Sequence, residues 1–205
     1  FVREQLTRLL GWNGDRAEVI APGLDSGREA QSARVPREVA FVGGGADHKG
    51  GTRWLALARL LTARGVGVTV YGGDGHENLL ALRAVPGVRV RGYYRAGTLP
   101  RLLVSQGASV VVLMPCVAES FSLTLSEAWA AGVPVVAPSS GALAERMARG
   151  GGRLTPASPT DDEVVEAVDV LRRTPTMPVP LPPTAEAAAA AHLALYQRLG
   201  LSTSA

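Results

Sequence analysis

Residues 39–71 read VAFVGGGADHKGGTRWLALARLLTARGVGVTVY. The run Val39–Val42 is wholly apolar and stops at Gly43-Gly44-Gly45. A strand covered on both faces reads as a continuous apolar run, whereas a half-exposed strand alternates. Trp54, Leu57, Ala58 and Leu61 then recur at i, i+3, i+4 and i+7, so 51–64 is expected to be a helix with one buried face. Val66–Tyr71 is a second apolar run, again followed by glycines, at positions 72, 73 and 75. Strand, crossover helix, strand is the unit of a parallel sheet.

The same alternation extends outward. Strands are expected at 88–90, 109–114, 133–137 and, weakly, 153–154, and helices at 79–84, 99–106, 123–131, 142–149 and 161–173. Upstream, 3–10 reads as a short helix ended by Gly11, Ala17–Ile20 as a strand, and 25–37 as a polar loop. The fold class expected is α/β: a Rossmann-like parallel sheet with helices on both faces. Residues 174–183 are half proline and read as an extended strap, leading to an Ala-rich helix over 184–199. The expected division is a tail or linker at 1–16, a core domain at 17–173, and the strap with its helix at 174–205.

Composition removes several function classes. Apolar residues make up 46% and charged residues 19%, a globular balance. The net charge of +3 comes without a basic stripe, so no nucleic-acid partner is expected. A single cysteine and three scattered histidines offer no metal-ligand spacing. No apolar run is long enough to span a membrane. The chain opens on Phe1 with no signal segment, as expected for a piece of a longer protein.

Ligands of open parallel sheets bind outside the carboxyl ends of the strands. Three loops leave such ends: 43–50, 72–76 and 115–124. The first is not a dinucleotide fingerprint, because His48 stands where the third glycine is needed, and no P-loop is present. His48 and His76 read as solvated loop residues, Gly73-Asp74-Gly75 as a turn, and Trp54 and Trp129 as core. In the third loop, Glu119 and Glu127 are separated by seven residues, one before a helix start and one just inside it. Both carboxylates can then face one cleft, beside helix N-terminal amides suited to an anion. A nucleotide sugar, with its diphosphate between two polyhydroxylated rings, has the matching chemistry.

The stretch Glu119-Ser120-Phe121-Ser122-Leu123, then Glu127-Ala128-Trp129-Ala130-Ala131-Gly132-Val133-Pro134-Val135-Val136-Ala137, resembles the E-x7-E region of GT4-type retaining glycosyltransferases of the GT-B fold. Val19–Asp25, Phe41-Val42-Gly43 with Lys49-Gly50, Val90-Arg91-Gly92 and Ser140-Gly141 with Glu145 resemble other family segments in the same order. The resemblance implies the C-terminal, donor-binding half of such an enzyme, with the acceptor-binding N-terminal domain as its missing partner. It implies transfer from a nucleoside diphosphate sugar to a hydroxyl, with no cofactor and no metal. A cytoplasmic location is implied, any membrane association being carried by the missing half. Residue by residue, Glu119 resembles the glutamate at the donor sugar, Lys49 the phosphate-binding lysine, and Glu127 the ribose-binding glutamate. Gly43, Gly44, Phe121, Ser122, Leu123 and Thr124 fall on donor-binding loops, and Tyr93 and Leu99 border the base. For Glu127 the residues alone leave a helix capping box open, as Thr124-Leu125-Ser126-Glu127.

The sequence departs from the family pattern at three places. Gly44 or Gly45 stands where the family has an arginine facing the diphosphate, and Arg53 replaces it only if its helix turns it to the cleft. Cys116 replaces a serine and reads as a small buried thiol in packing. Ser122 replaces a glycine. The lost arginine gives weight to the alternative of a non-catalytic nucleotide-sugar or carbohydrate-binding module.

Overall fold

The computed structural model describes residues 1–12, 17–25, 38–73, 77–174 and 177–201. Its strands are β1 Glu38–Val42, β2 Gly67–Tyr71, β3 Val88–Gly92, β4 Val110–Val112, β5 Val135–Pro138 and β6 Gly152–Thr155. All pair in parallel, in the order β3-β2-β1-β4-β5-β6. The helices are α1 Val2–Leu10, α2 Gly51–Ala63, α3 Glu77–Arg83, α4 Leu99–Ser105, α5 Leu123–Ala130, α6 Gly141–Met147, α7 Asp161–Arg173 and α8 Ala185–Arg198.

The alternation of side chains along each strand supplies two cores. On one face Val39, Phe41, Val68, Val70, Val110 and Val112 meet Trp54, Leu57 and Leu61 of α2 and Val164, Val168 and Leu171 of α7. On the other, Ala40, Val42, Val111, Val135 and Ala137 meet Leu103 of α4, Leu125 and Trp129 of α5 and Leu143 of α6. Helices therefore cover both faces, which is why the central strands are apolar throughout. β3 lies at an edge, and its alternating Arg89 and Arg91 stay outside.

The expected strand at 17–20 does not form. Val19 is 72% exposed, so no apolar face of this segment is buried against the sheet. The segment instead joins the proline strap: Leu24 N–H donates to the Pro183 carbonyl at 3.0 Å, and Ala185 N–H to that of Leu24 at 2.9 Å. His76 and Asp74 lie outside the described residues.

Two glycines show how differently the connecting loops are packed. Gly50 has φ 88°, and a Cβ there would stand 2.1 Å from the Met114 carbonyl oxygen, so the loop after β1 rests on the end of β4. Gly65 has φ 71° with nothing within 4 Å. Gly65→Ala is expected to cost about 1 kcal/mol, the left-handed penalty alone. Gly50→Ala adds a backbone overlap and is expected to cost at least about 3 kcal/mol. Chemical denaturation of the two variants measures the difference.

Candidate functional site

Chain order reverses between β1 and β4, and the strand ends beside such a reversal are where open α/β sheets hold their ligands. A cleft of about 700 Å³ lies there. Gly43 and Gly44 after β1, Gly72 and Gly73 after β2, and the tyrosines after β3 face the first turns of α5 across it.

Glu127 sits on the α5 wall and is only 8% exposed. Burial raises its carboxyl above the ordinary value, partly offset by the Gly97 backbone N–H donating to it. Tyr94, another cleft residue, is pushed up to about 12 by burial and then by the Glu127 charge. The capping-box alternative fails on register. The helix begins at Leu123 with Ser122 as its N-cap, no side chain caps it, and Glu127 is its fifth residue. A capping box does exist elsewhere, between Thr160 and Glu163 of α7.

Lys49 and Glu119 meet across the same strand pair. Lys49 Nζ lies 2.5 Å from Glu119 Oε1, joining the loop after β1 to the loop after β4. Cys116 N–H donates to the His48 carbonyl at 3.0 Å, and Ala142 N–H to the Glu119 carbonyl at 2.9 Å, so both ends of this bridge are anchored. Cys116 is exposed rather than buried, and its thiol reaches the Asp47 carbonyl at 3.3 Å. The loop carries it outward past the end of β4, where no core remains to enclose it.

The glycine loops are interlocked. The N–H groups of Gly43 and Gly44 both donate to the Tyr71 carbonyl, at 3.2 and 3.3 Å, so these two amides are already engaged. Gly44 has φ 80°, and a Cβ there would come 3.2 Å from Gly73 N. The backbone at 44 therefore favours glycine, and the family arginine has no ready place on it. Arg53 does not replace it: it binds Asp161 through Nη2 at 2.5 Å and Nε at 3.1 Å.

Of the remaining expected residues, Tyr93 (76% exposed), Leu123 and Thr124 border the cleft. Leu99 is fully buried in the core, so its side chain packs rather than lines. Phe121 turns its ring onto the Arg146 guanidinium, 4.0 Å from the ring centroid. Ser122 holds φ 68°, and among the described residues it is the sole non-glycine with positive φ. That explains why the resembled family has glycine at this place. Sequence reasoning singled out neither Gly97 nor Arg146, and no short motif marks either. The Gly23-Leu24-Asp25 stretch, drawn into the cleft wall by the strap, was legible only through the family resemblance.

Two outcomes follow for this site. A carboxyl whose pKa is raised by folding contributes stability below its ordinary pKa, and that contribution is lost as pH rises through the folded value. Glu127→Gln removes the cost of burying the charge, so its melting temperature relative to the parent is expected to rise as pH climbs from the ordinary carboxyl range toward neutral. Thermal melts across that range measure this. Ser122→Gly relieves the left-handed strain and is expected to add up to about 1 kcal/mol of stability, read by denaturant titration.

Residues 36–173 match the sequence profile of glycosyl transferases group 1. The D-inositol 3-phosphate glycosyltransferase of Rhodococcus jostii (strain RHA1) is 32% identical over 169 residues, covering 72% of this chain and 37% of that protein. The chain thus spans little more than a third of that relative's length. Among solved structures, AviGT4, a glycosyltransferase involved in avilamycin A biosynthesis, aligns over 97% of this chain and 62% of its own, with a TM-score of 0.63 at 22% identity. Anabaena Alr3699/HepE in complex with UDP and glucose aligns over 96% of this chain and 47% of its own, with a TM-score of 0.54 at 18% identity. The six-stranded parallel sheet is the Rossmann-like architecture of GT-B glycosyltransferases, and the chain belongs to the glycosyl transferases group 1 family.

Proposed function

We propose that this chain is the donor-binding domain of a retaining glycosyltransferase, and that the whole enzyme moves a sugar from a nucleoside diphosphate sugar to an acceptor hydroxyl. The observation that carries the reading is the buried carboxylate of Glu127 on the wall of a cleft at the strand-order reversal. A carboxylate held there accepts two hydrogen bonds from a vicinal diol, the ribose of the donor. The α5 start beside it offers amides to the diphosphate. HepE, whose structure holds UDP, shares this fold.

Roles within the cleft follow from charge. Lys49 supplies the cation for the leaving diphosphate, a point charge that needs no fork geometry. Glu119 pairs with it at 2.5 Å. When donor phosphate takes over Lys49, the Glu119 carboxylate is released toward the sugar hydroxyls and the positive charge that builds at the anomeric carbon. Diphosphate departure and hydroxyl attack on the same face of the sugar give retention without a protein nucleophile. The reading needs no metal, since Lys49 and the amides carry the counter-charge. An acceptor domain covering the open side of the cleft completes the enzyme.

The interlocked glycines favour a second reading. With no arginine at 44, a module that binds a nucleotide sugar without turning it over remains consistent with the cleft. Transfer assays on the full-length protein separate the two: donor binding without product would leave the binding module.

Calorimetry with UDP, GDP, ADP and dTDP tests the shared premise, with at least one expected to bind. Lys49→Met is expected to weaken that diphosphate about tenfold or more while leaving the bare nucleoside unchanged. Equal loss for both would remove Lys49 from the phosphate site.

A further inference from the structure

Arg146 of α6 is half-buried behind the cleft rather than in it. Its Nη1 donates to the carbonyls of Phe121 at 2.8 Å and Ser122 at 2.9 Å, and its Nη2 to Ser126 Oγ at 2.8 Å. The guanidinium also lies 4.0 Å from the Phe121 ring centroid and 5.2 Å from that of Trp129. Burial lowers its pKa only to about 10, so it stays charged at neutral pH.

These contacts fix two successive peptide planes. All described peptide bonds are trans, so each carbonyl is antiparallel to the N–H of the following residue. With the Phe121 and Ser122 carbonyls drawn to Arg146, the N–H groups of Ser122 and Leu123 must point away from it. At 100° per residue, Ser126 and Trp129 lie roughly 200° and 140° round α5 from Thr124. Arg146 therefore holds the helix from the side opposite Thr124, and Thr124 and Leu123 border the cleft. The held residue is also the strained one: Ser122 sits at φ 68° with no side-chain cap. A left-handed serine needs its surroundings to hold it, and the two carbonyl contacts do so.

We propose that Arg146 is a positioning residue of the donor site: by clamping the Phe121 and Ser122 carbonyls it turns the amides at the start of α5 toward the donor's diphosphate. This rests on the reading of the cleft given above. Arg146 touches no ligand. It acts through the peptide planes, and so on phosphate more than on base or ribose.

The test compares the parent with Arg146→Met and Arg146→Lys, whose aliphatic stems still cover Phe121 and Trp129. For each, the melting temperature is recorded, together with Kd for the diphosphate the parent binds (from UDP, GDP, ADP and dTDP) and for the matching nucleoside. Arg146→Met is expected to weaken the diphosphate by about tenfold or more with the nucleoside little changed. Arg146→Lys, which can reach one carbonyl but cannot fork, should recover only part of it. If Arg146→Met does not fold, the lysine variant gives the same comparison. Folded variants with unchanged diphosphate affinity, or with equal losses for diphosphate and nucleoside, would overturn the positioning role and leave the cleft reading standing. A parent that binds none of the four would overturn the cleft reading itself, and the role of Arg146 with it.

Discussion

The pairing of β1 with β4 is the constraint on which the rest of this molecule depends. Strands β1, β2 and β3 follow one another in one direction across the sheet, and β4, β5 and β6 in the other. Right-handed crossovers place the helices of the two halves on opposite faces. The cleft opens where the two halves diverge, between the loops leaving β1, β2 and β3 and the start of α5, and so follows from chain order rather than from any one side chain. Val39 opposite Val110 and Phe41 opposite Val112 hold that junction.

Local costs concentrate around this crevice. Glu127 is a carboxylate taken largely out of water, and the Gly97 amide meets only part of its need. Ser122 occupies a conformation that a glycine would adopt freely. Gly44 and Gly73 approach so closely that neither tolerates a side chain without a shift. By contrast, α7 agrees with its sequence preferences: a complete capping box precedes an acidic first turn, and the last turn is basic. Costs gathered around one cleft mark it as a place where stability was given up for something else.

Most of the architecture could be read from patterns with a physical cause. The apolar runs ending in glycine marked β1 and β2, the apolar run at 109–114 marked β4, and the spacing of Trp54, Leu57, Ala58 and Leu61 marked the buried face of α2. The segment at 17–20 was misread because a short apolar-polar stretch looks the same whether or not a neighbouring strand is free to pair with it. At the site, Glu127 and Lys49 could be found from sequence because they stand in recognisable motifs at strand ends. The state of the Gly43 and Gly44 amides could not, since both go to a carbonyl at the end of another strand, Tyr71. Cys116 was misjudged because burial depends on where a loop leaves the sheet. Arg146 was invisible for a similar reason: its partners lie 20 to 25 residues away on another helix and loop.

The loop after β1 offers a diphosphate neither an arginine nor the amides of Gly43 and Gly44, and the function proposed above therefore assigns phosphate recognition to Lys49 and the start of α5. That division of labour is open to direct observation by determining the structure of the protein with a bound nucleoside diphosphate. The account predicts ribose hydroxyls within hydrogen-bond reach of Glu127, phosphates over the Leu123 and Thr124 amides, and Lys49 turned from Glu119 toward them. A nucleotide seated away from the β1–β4 crevice, or lying in it with Glu127 out of reach of the ribose, would contradict it.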